Sequence, residues 1–234
     1  MTGDACLRRR LRAVPKRSLS PDAIAAAALA LGDRDGQAAM SMRRIAAELG
    51  CDPMAIYRHF PNREALLDAV ADLALAGVVT DQSAGAGPGE GSGFGWEGRL
   101  TTLLSDVREA ALRHPGIAGH IASRPPLGVN GLRLHGVLDE ALVAAGLSRA
   151  DVVKATQALI AYLAAALAMA VRAGERDERW HQVSEALGHK TDSGAPDREV
   201  DSAHLPIVGS AEQFAFGLRL LVNGIRVEGQ RNSV

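Results

Sequence analysis

Apolar residues recur along most of this chain at intervals of three and four, the spacing that places them on one face of an α-helix. The alternation of apolar and polar residues that marks a half-buried strand does not extend over any useful length. Glycine and proline, which interrupt helices, separate the periodic segments. We therefore predict an all-α fold.

The first two predicted helices are bounded by clear capping residues. Ser20 can cap the first helix with its hydroxyl, and we expect that helix to stop at Gly32. The second begins near Ser41 and ends at Gly50, because glycine accepts the left-handed conformation at a helix C-terminus. Each of these two helices has one apolar face, and together they predict the start of a small helical domain, which we call the head.

Two further short helices follow. Asp52 can cap the third, with Pro53 at its first position, and Asn62 can cap the fourth. The inward positions of the second and third helices are Ile45, Ala46, Leu49, Ile56 and Phe60. The apolar stripe of the fourth helix comprises Leu66, Leu67, Val70, Leu73 and Ala74.

The rest of the chain predicts a helical body interrupted by two loops. Its four longer helices are expected over 96–113, 129–145, 148–173 and 211–229. Residues 81–98 are rich in glycine, serine and alanine, which predicts a flexible loop. A short helix is expected near 180–187, and the polar segment 188–209 predicts a mobile loop after it.

Charge divides the chain after Arg63. Residues 1–63 carry 11 Lys and Arg against 6 Asp and Glu, a balance of +5, whereas the remainder carries 15 against 21, a balance of −6. A basic head on an acidic body indicates a unit that binds polyanions, unless the clustering is chance. We divide the chain into a basic flexible arm over 1–17, a head over 18–63 and a body over 64–234.

Several protein classes are excluded by what the sequence lacks. It has no nucleophile elbow, Walker loop or His-Glu-x-x-His zinc motif, so we do not expect an enzyme. The longest apolar run, 158–171, is 14 residues long and falls short of a membrane span. Two cysteines, Cys6 and Cys51, suit a reducing compartment, and we expect a cytoplasmic protein without cofactor or metal.

The second and third helices, joined by a tight turn at 50–52, have the form of a helix-turn-helix. The third helix would then enter the major groove of DNA. Its outward residues are Pro53, Met54, Ala55, Tyr57, Arg58 and His59. The alternative is a small helical subdomain without a DNA role, since this spacing alone is a weak signal.

Roles at the DNA follow from the donors that the side chains carry. Arg58 and Arg63 can neutralise phosphates, while Tyr57 and His59 can donate hydrogen bonds to phosphate oxygens. Arg43, at the start of the second helix, is the long donor placed for a bidentate contact to guanine. Met54 and Ala55 offer only apolar contact.

The strongest motif is the segment IYRHFPNRE at 56–64, within a longer run over 43–67. It resembles the N-terminal domain of the tetracycline-repressor (TetR) family, and the resemblance covers about residues 18 to 75. The resemblance implies a backbone role for Tyr57, His59 and Arg63, and a base-reading role for Arg43. It places Pro53, Met54 and Ala55 near base edges, although the tetracycline-repressor branch carries a hydroxyl residue at the position of Ala55.

The last predicted helix is too apolar to lie free on a surface. Phe214, Leu218, Leu221 and Ile225 follow a 4-3-4 spacing, and Gly217 and Gly224 permit close approach. Residues 214–225 are similar to the C-terminal helix of the tetracycline-repressor branch, which implies a homodimer held by a four-helix bundle. The alternative is a core helix of the same chain.

A ligand pocket is also implied by the resemblance. Residues 114–125 are similar to a tetracycline-repressor segment whose histidine holds the drug's magnesium. By that match His120 and Ser123 line a pocket, and Arg124 and Pro125 belong to a turn that links the ligand to the head. His120 can equally be an ordinary core or surface histidine.

Two further residues complete the predicted pocket. The nearly uniformly apolar helix 151–171, which suits a core helix or a pocket wall, carries Tyr162 and Met169. Met169 stands where the tetracycline-repressor branch has an acid that helps to hold magnesium, an ion that requires oxygen ligands. We therefore predict an apolar or aromatic effector and no metal.

These features together predict a ligand-responsive transcriptional regulator. By the family resemblance it is a repressor, which leaves a pseudo-palindromic operator when a small apolar molecule binds. The alternative is a constitutive dimeric DNA-binding protein whose body has a solid core and no ligand switch.

Overall fold

The computed structural model of the chain describes residues 19–78, 95–173, 182 and 209–232. These residues contain helices and no strand, so the all-α prediction is confirmed. The helices are α1 (Pro21–Asp35), α2 (Met42–Leu49), α3 (Pro53–Tyr57), α4 (Arg63–Ala74), α5 (Trp96–Leu112), α6 (Pro115–Ser123), α7 (Val129–Ala144), α8 (Arg149–Ala173) and α9 (Ala211–Arg231). A 3₁₀ turn, Gln37–Ala39, separates α1 from α2.

The predicted caps of the head are present. The side chains of Ser20, Asp52 and Asn62 accept hydrogen bonds from main-chain N–H groups in the first turns of α1, α3 and α4. Gly50 ends α2 in the left-handed conformation, with a φ of 63°. These capped helices share a core with the body, as shown by the fully buried side chains of Ile24, Ile45, Ile56, Leu66 and Ile117.

The prediction that α1 stops at Gly32 is wrong. The helix continues to Asp35 and ends at Gly36, which has a φ of 80°. Gly32 lies inside α1 and is buried. A Cβ at this position would lie 2.8 Å from Sδ of Met40, and a Cβ on Gly116 would collide with the Gly32 carbonyl group. The glycine therefore permits close packing of α1 against α6.

Helix α6 is not among the helices expected from the sequence, because proline interrupts a helix when it lies inside one and Pro115 stands between two periodic segments. Proline at the first position starts this helix, where its missing N–H has no partner to lose. Helix α6 packs against α1, α4 and α8 and so lies at the centre of the described fold.

The predicted boundary between head and body, at residues 63 and 64, falls at the start of helix α4. This helix packs on both α1 and α6, and the boundary remains a prediction. Residues 96–98 belong to α5 and not to the predicted loop. The basic arm and residues 81–94 of that loop lie outside the described residues. So do the predicted helix near 180–187, apart from Gln182, and the loop at 188–209, apart from Gly209.

Helix α8 is long and apolar enough to cross a membrane, by length and composition alone. The prediction from the run of 14 apolar residues did not foresee this. One side of α8 packs against α5, α6 and α7. Its other side exposes apolar side chains such as Val153, which is 56% exposed.

Candidate functional sites

The outward face of α3 carries the side chains that the sequence indicated. Met54 and Tyr57 are 64% and 46% exposed, and Arg58 and His59 are also exposed. The side chains of Tyr57, Arg58 and His59 form no hydrogen bond or ion pair with any other described residue, so their donors are available. Pro53 and Ala55 are half-buried on α3, and Arg58 and His59 directly follow its last residue, Tyr57.

Only part of the positive charge of the head is available to a polyanion. Arg34 pairs with Glu48 at 3.1 Å, and Arg44 pairs with Asp35 at 2.7 Å, so these pairs join α1 to α2. Arg43 is exposed on α2 and has no partner among the described residues. The geometry thus leaves Arg43 and the α3 donors free.

Arg63 has a structural role that the sequence did not indicate. Its Nε donates to the carbonyl oxygen of Met40 and its Nη2 donates to that of Gln37, both at 2.9 Å. The guanidinium therefore ties the start of α4 to the loop before α2. The predicted phosphate contact of Arg63 stays a prediction, and it would have to use the remaining N–H groups.

Three carboxylates stand one turn apart on α4, at positions 64, 68 and 72, and we call them the α4 acidic ladder. Arg124, just after α6, donates to Glu64 at 2.6 Å and to Asp68 at 2.9 and 3.1 Å. His120, which is buried on α6, lies 2.8 Å from Asp68 through its Nε2. The first two ladder residues therefore hold the C-terminal end of α6.

Burial raises the pKa of Asp68, but hydrogen bonds and charge from Arg124 and His120 outweigh burial and leave this pKa below its ordinary value. Asp68 is therefore ionised at neutral pH. A carboxylate in this state is the partner that the Arg124 guanidinium and an imidazole N–H require.

The third ladder residue, Asp72, caps the N-terminus of α7. Its carboxylate accepts from the main-chain N–H groups of Gly131 at 2.8 Å and Asn130 at 3.2 Å, and from the Asn130 side chain at 3.1 Å. The N-cap residue itself, Gly128, has no side chain to do this, and a Cβ on it would collide with the Asp72 carboxylate. The ladder thus also holds the start of α7.

The segment between α6 and α7, residues 124–128, borders an apolar cavity of about 70 Å³ in the body. Its walls come from α4 through α8, and they comprise Leu75, Leu103, Leu104, Val107, Ile121, Pro125, Pro126, Gly131, Leu134, His135, Leu138, Ile160, Leu163, Ala164 and Leu167. His135 is the one polar side chain among these described lining residues. Sequence analysis did not select His135 as a site residue, although the sequence places it one turn after Gly131 on an amphipathic helix.

Comparison with known proteins decides the family. The family model of bacterial regulatory proteins of the tetR family matches residues 24–70, and the model of the tetracyclin repressor-like C-terminal domain matches residues 87–228. The chain belongs to the TetR family. This family consists of DNA-binding transcriptional regulators, which agrees with the free donors on α3.

Two curated TetR-family relatives illustrate the match. An HTH-type transcriptional regulator of Saccharopolyspora erythraea is 33% identical over 63% of this chain, which spans only 59% of that relative's length. The class A tetracycline repressor from transposon 1721 of Escherichia coli is 30% identical, over 72% of this chain and 75% of its own.

Two solved structures are similar over nearly the whole chain. Streptomyces coelicolor ActR in complex with actinorhodin has a TM-score of 0.66 and 26% identity, and covers 89% of this chain and 96% of its own. BioQ of Mycobacterium smegmatis with its double-stranded DNA operator has a TM-score of 0.62 and 27% identity, and covers 89% of this chain and 99% of its own.

Against this TetR fold, most predicted effector residues do not line the apolar cavity. His120 pairs with Asp68, and Ser123 donates to the His120 carbonyl oxygen at 3.0 Å. Tyr162 donates to the Phe214 carbonyl oxygen at 2.8 Å and stacks on that ring, and Met169 is half-buried elsewhere on α8. Of the six predicted residues, Pro125 alone is in the cavity wall.

The predicted dimer residues of α9 lie mostly on its inner side. Phe214, Leu218 and Ile225 are buried within the chain, and Leu221 is half-buried, so these positions belong chiefly to the intrachain core. Gly217 faces the hydroxyl group of Tyr162. Gly224 is exposed with open space around it and remains available to a partner.

The outer side of α9 carries a second apolar stripe that sequence spacing did not reveal. Phe216, Leu220 and Val227 are 55%, 58% and 49% exposed, and their spacing of four and seven places them on one face. Val153 and Val171 on α8 are exposed as well. We call Phe216, Leu220 and Val227 the outer stripe of α9.

Proposed function

We propose that this chain is a ligand-responsive repressor that a small, largely apolar effector releases from a pseudo-palindromic operator. The observation that carries the proposal is that residues 124–131 contact both the apolar cavity of the body and helix α4. The apolar cavity, which we call the effector cavity, lies against Pro125, Pro126 and Gly131. The α4 acidic ladder holds Arg124 and the N–H of Gly131. Helix α4 in turn begins at Arg63, whose side chain donates to the main-chain carbonyl groups of Gln37 and Met40 in the head.

The small volume of the cavity is what would couple effector binding to the head. Ligand pockets for drug-sized molecules measure about 300 to 1,000 Å³, whereas this cavity measures about 70 Å³. An effector therefore has to enlarge it, and the wall with the fewest helical constraints is the segment between α6 and α7. Moving that segment strains the contacts with α4, so the effector favours a different orientation of α4.

The lining defines the effector class. Fourteen of the described lining residues are apolar or glycine, and His135 alone offers a ring nitrogen for hydrogen bonding. We infer a neutral aromatic or aliphatic molecule with one polar group facing His135. The actinorhodin complex of ActR supports a small-molecule effector, and no metal is required for one of this class.

A dimer completes the proposed regulator. The outer stripe of α9 and the exposed residues of α8 supply an apolar surface from two helices, which suits a four-helix interface between two copies. Two α3 helices one DNA turn apart, about 34 to 36 Å, would read a pseudo-palindrome. The operator complex of BioQ supports this mode. We infer a cytoplasmic regulator with no catalytic activity.

The small cavity also favours a second candidate, a constitutive DNA-binding dimer with a solid core. Thermal unfolding with a panel of apolar aromatic compounds separates the two, because a ligand at 100 times its Kd stabilises by about 2.7 kcal/mol. The matched variants are Leu134→Phe, which fills the cavity, and Leu132→Phe, which is on the exposed side of the same helix.

The effector proposal predicts that at least one compound raises Tm for the native chain and Leu132→Phe, but not for Leu134→Phe. If no compound in a broad panel changes Tm, the constitutive candidate is correct. A compound that stabilises all three proteins equally binds elsewhere and contradicts the cavity assignment.

A further inference from the structure

A second and much larger cavity, of about 770 Å³, lies between the head and the body. The N-terminal turns of α1 and Phe60 form one wall, α4 forms the floor, and residues 123–130 form the other wall. We propose that this head–body cleft binds an amphiphilic organic cation, a molecule with an apolar skeleton and one positive charge.

The size and apolar lining of the cleft fit such a skeleton. Its volume falls within the range of about 300 to 1,000 Å³ that is typical of small-molecule sites. Phe60 and Leu73 line it from the head and α4, and Leu127 and Val129 line it from the body. Leu127 and Val129 are 71% and 82% exposed, so a ligand in the cleft removes their apolar surface from water.

The charge of the lining selects a cation. Asp22, Asp68 and Asp72 contribute three carboxylates, and Arg124 contributes one guanidinium, which leaves a net charge of −2 at neutral pH. Asp68 and Asp72 are already hydrogen bonded to the body. Asp22 has no partner among the described residues, and it is therefore the carboxylate that can pair with the ligand's charge.

The head–body cleft differs from the effector cavity in both size and chemistry. The effector cavity measures about 70 Å³ and has no Asp, Glu, Lys or Arg in its lining, whereas the cleft already measures about 770 Å³ in the same conformation and is acidic. Pro125 and Pro126 line both, so the two sites share a wall. Effector binding has to move this wall.

Because the two sites share a wall, the cation is expected to affect effector binding, and this expectation rests on the proposed function. A ligand that fits the cleft as it stands stabilises the arrangement in which the effector cavity is too small for the effector. By linkage, the cation and the effector then weaken each other's binding. The cation is thus expected to act as a co-repressor.

The test uses two probes of the same shape and opposite charge, tetraphenylphosphonium and tetraphenylborate, titrated calorimetrically into the full chain without DNA. We expect one phosphonium per chain and much weaker binding of the borate. Asp22→Asn should weaken phosphonium binding about two- to fivefold, the range for one exposed ion pair, and Leu127→Arg should abolish it.

Three controls fix the location. Leu132→Arg, a matched exposed leucine outside the cleft, and Leu134→Phe, which fills the effector cavity, should both bind phosphonium as the native chain does. No phosphonium binding, equal binding of the borate, or loss of binding in Leu134→Phe would each overturn the proposal. None of these results depends on operator binding, so the two proposals fail separately.

Discussion

Replacing Asp72 by alanine tests whether the α4 acidic ladder holds the start of α7. The substitution removes a carboxylate that accepts three hydrogen bonds, two of them from main-chain N–H groups in the first turn of α7. Gly128 cannot replace this cap, because it has no side chain, so the two N–H groups lose their protein partner. Water can solvate them only in part, since both bonds are partly buried.

The expected loss of stability follows from two contributions. Losing an N-cap side chain costs about 0.5 to 2 kcal/mol. Losing a negative charge at a helix N-terminus costs about 0.3 to 1 kcal/mol more. We therefore expect Asp72→Ala to lower the free energy of unfolding by about 1 to 3 kcal/mol. Asp72→Asn keeps one acceptor oxygen and should cost less.

Urea unfolding followed by circular dichroism measures this loss, at a fixed protein concentration because a dimer's stability depends on it. Glu109→Ala is the control, since Glu109 is an exposed acid on α5 whose side chain forms no hydrogen bond to a described residue. If Asp72→Ala changes the free energy of unfolding by no more than the control, about 0.5 kcal/mol or less, the ladder does not hold α7 and the coupling route proposed here is incorrect.

Three other substitutions probe separate parts of the structure. Arg63→Ala should lower the free energy of unfolding by about 1 to 2 kcal/mol, because two main-chain carbonyl groups lose a charged donor. The control Arg58→Ala should leave urea unfolding unchanged. Equal stability of the two variants would contradict a stabilising role for the Arg63 hydrogen bonds. Leu220→Asp should give a monomer in sedimentation analysis if the outer stripe of α9 is the interface, and an intact dimer would exclude that face. Asp68 has a lowered pKa in the folded chain, so its stabilisation is complete above the unfolded value near 3.8 and is lost as pH falls through the lower folded value. Asp68→Asn should therefore flatten the loss of stability on acidification below about pH 4, and an unchanged slope would contradict the sign of the shift.

The head was largely predictable because its signals are local. Ser20, Asp52 and Asn62 each cap a helix that starts at the next residue, and Gly50 is the turn that a helix-turn-helix needs. Local patterns failed where packing decided the outcome. Gly32 resembles a stop, but it is buried so that α1 and α6 can approach closely.

The body was less predictable because its decisive contacts join distant residues. His120 finds its partner 52 positions earlier, so the segment alone could not distinguish a ligand contact from an ion pair. Which side of α9 is buried depends on α5 and α8, and the 4-3-4 spacing identified an apolar stripe without showing that a second one exists. The i, i+4, i+8 spacing of Glu64, Asp68 and Asp72 was a readable signal for the ladder.

If the proposed function is correct, one compound can bind the body and release the head from DNA. Gel-shift titration of the purified dimer on DNA from its own upstream region, with and without the compound that raises Tm, tests this directly. We expect tight, salt-sensitive and palindrome-dependent binding that the compound weakens in the native chain and in Leu132→Phe but not in Leu134→Phe. Operator affinity that stays the same when the body is saturated with that compound would contradict it.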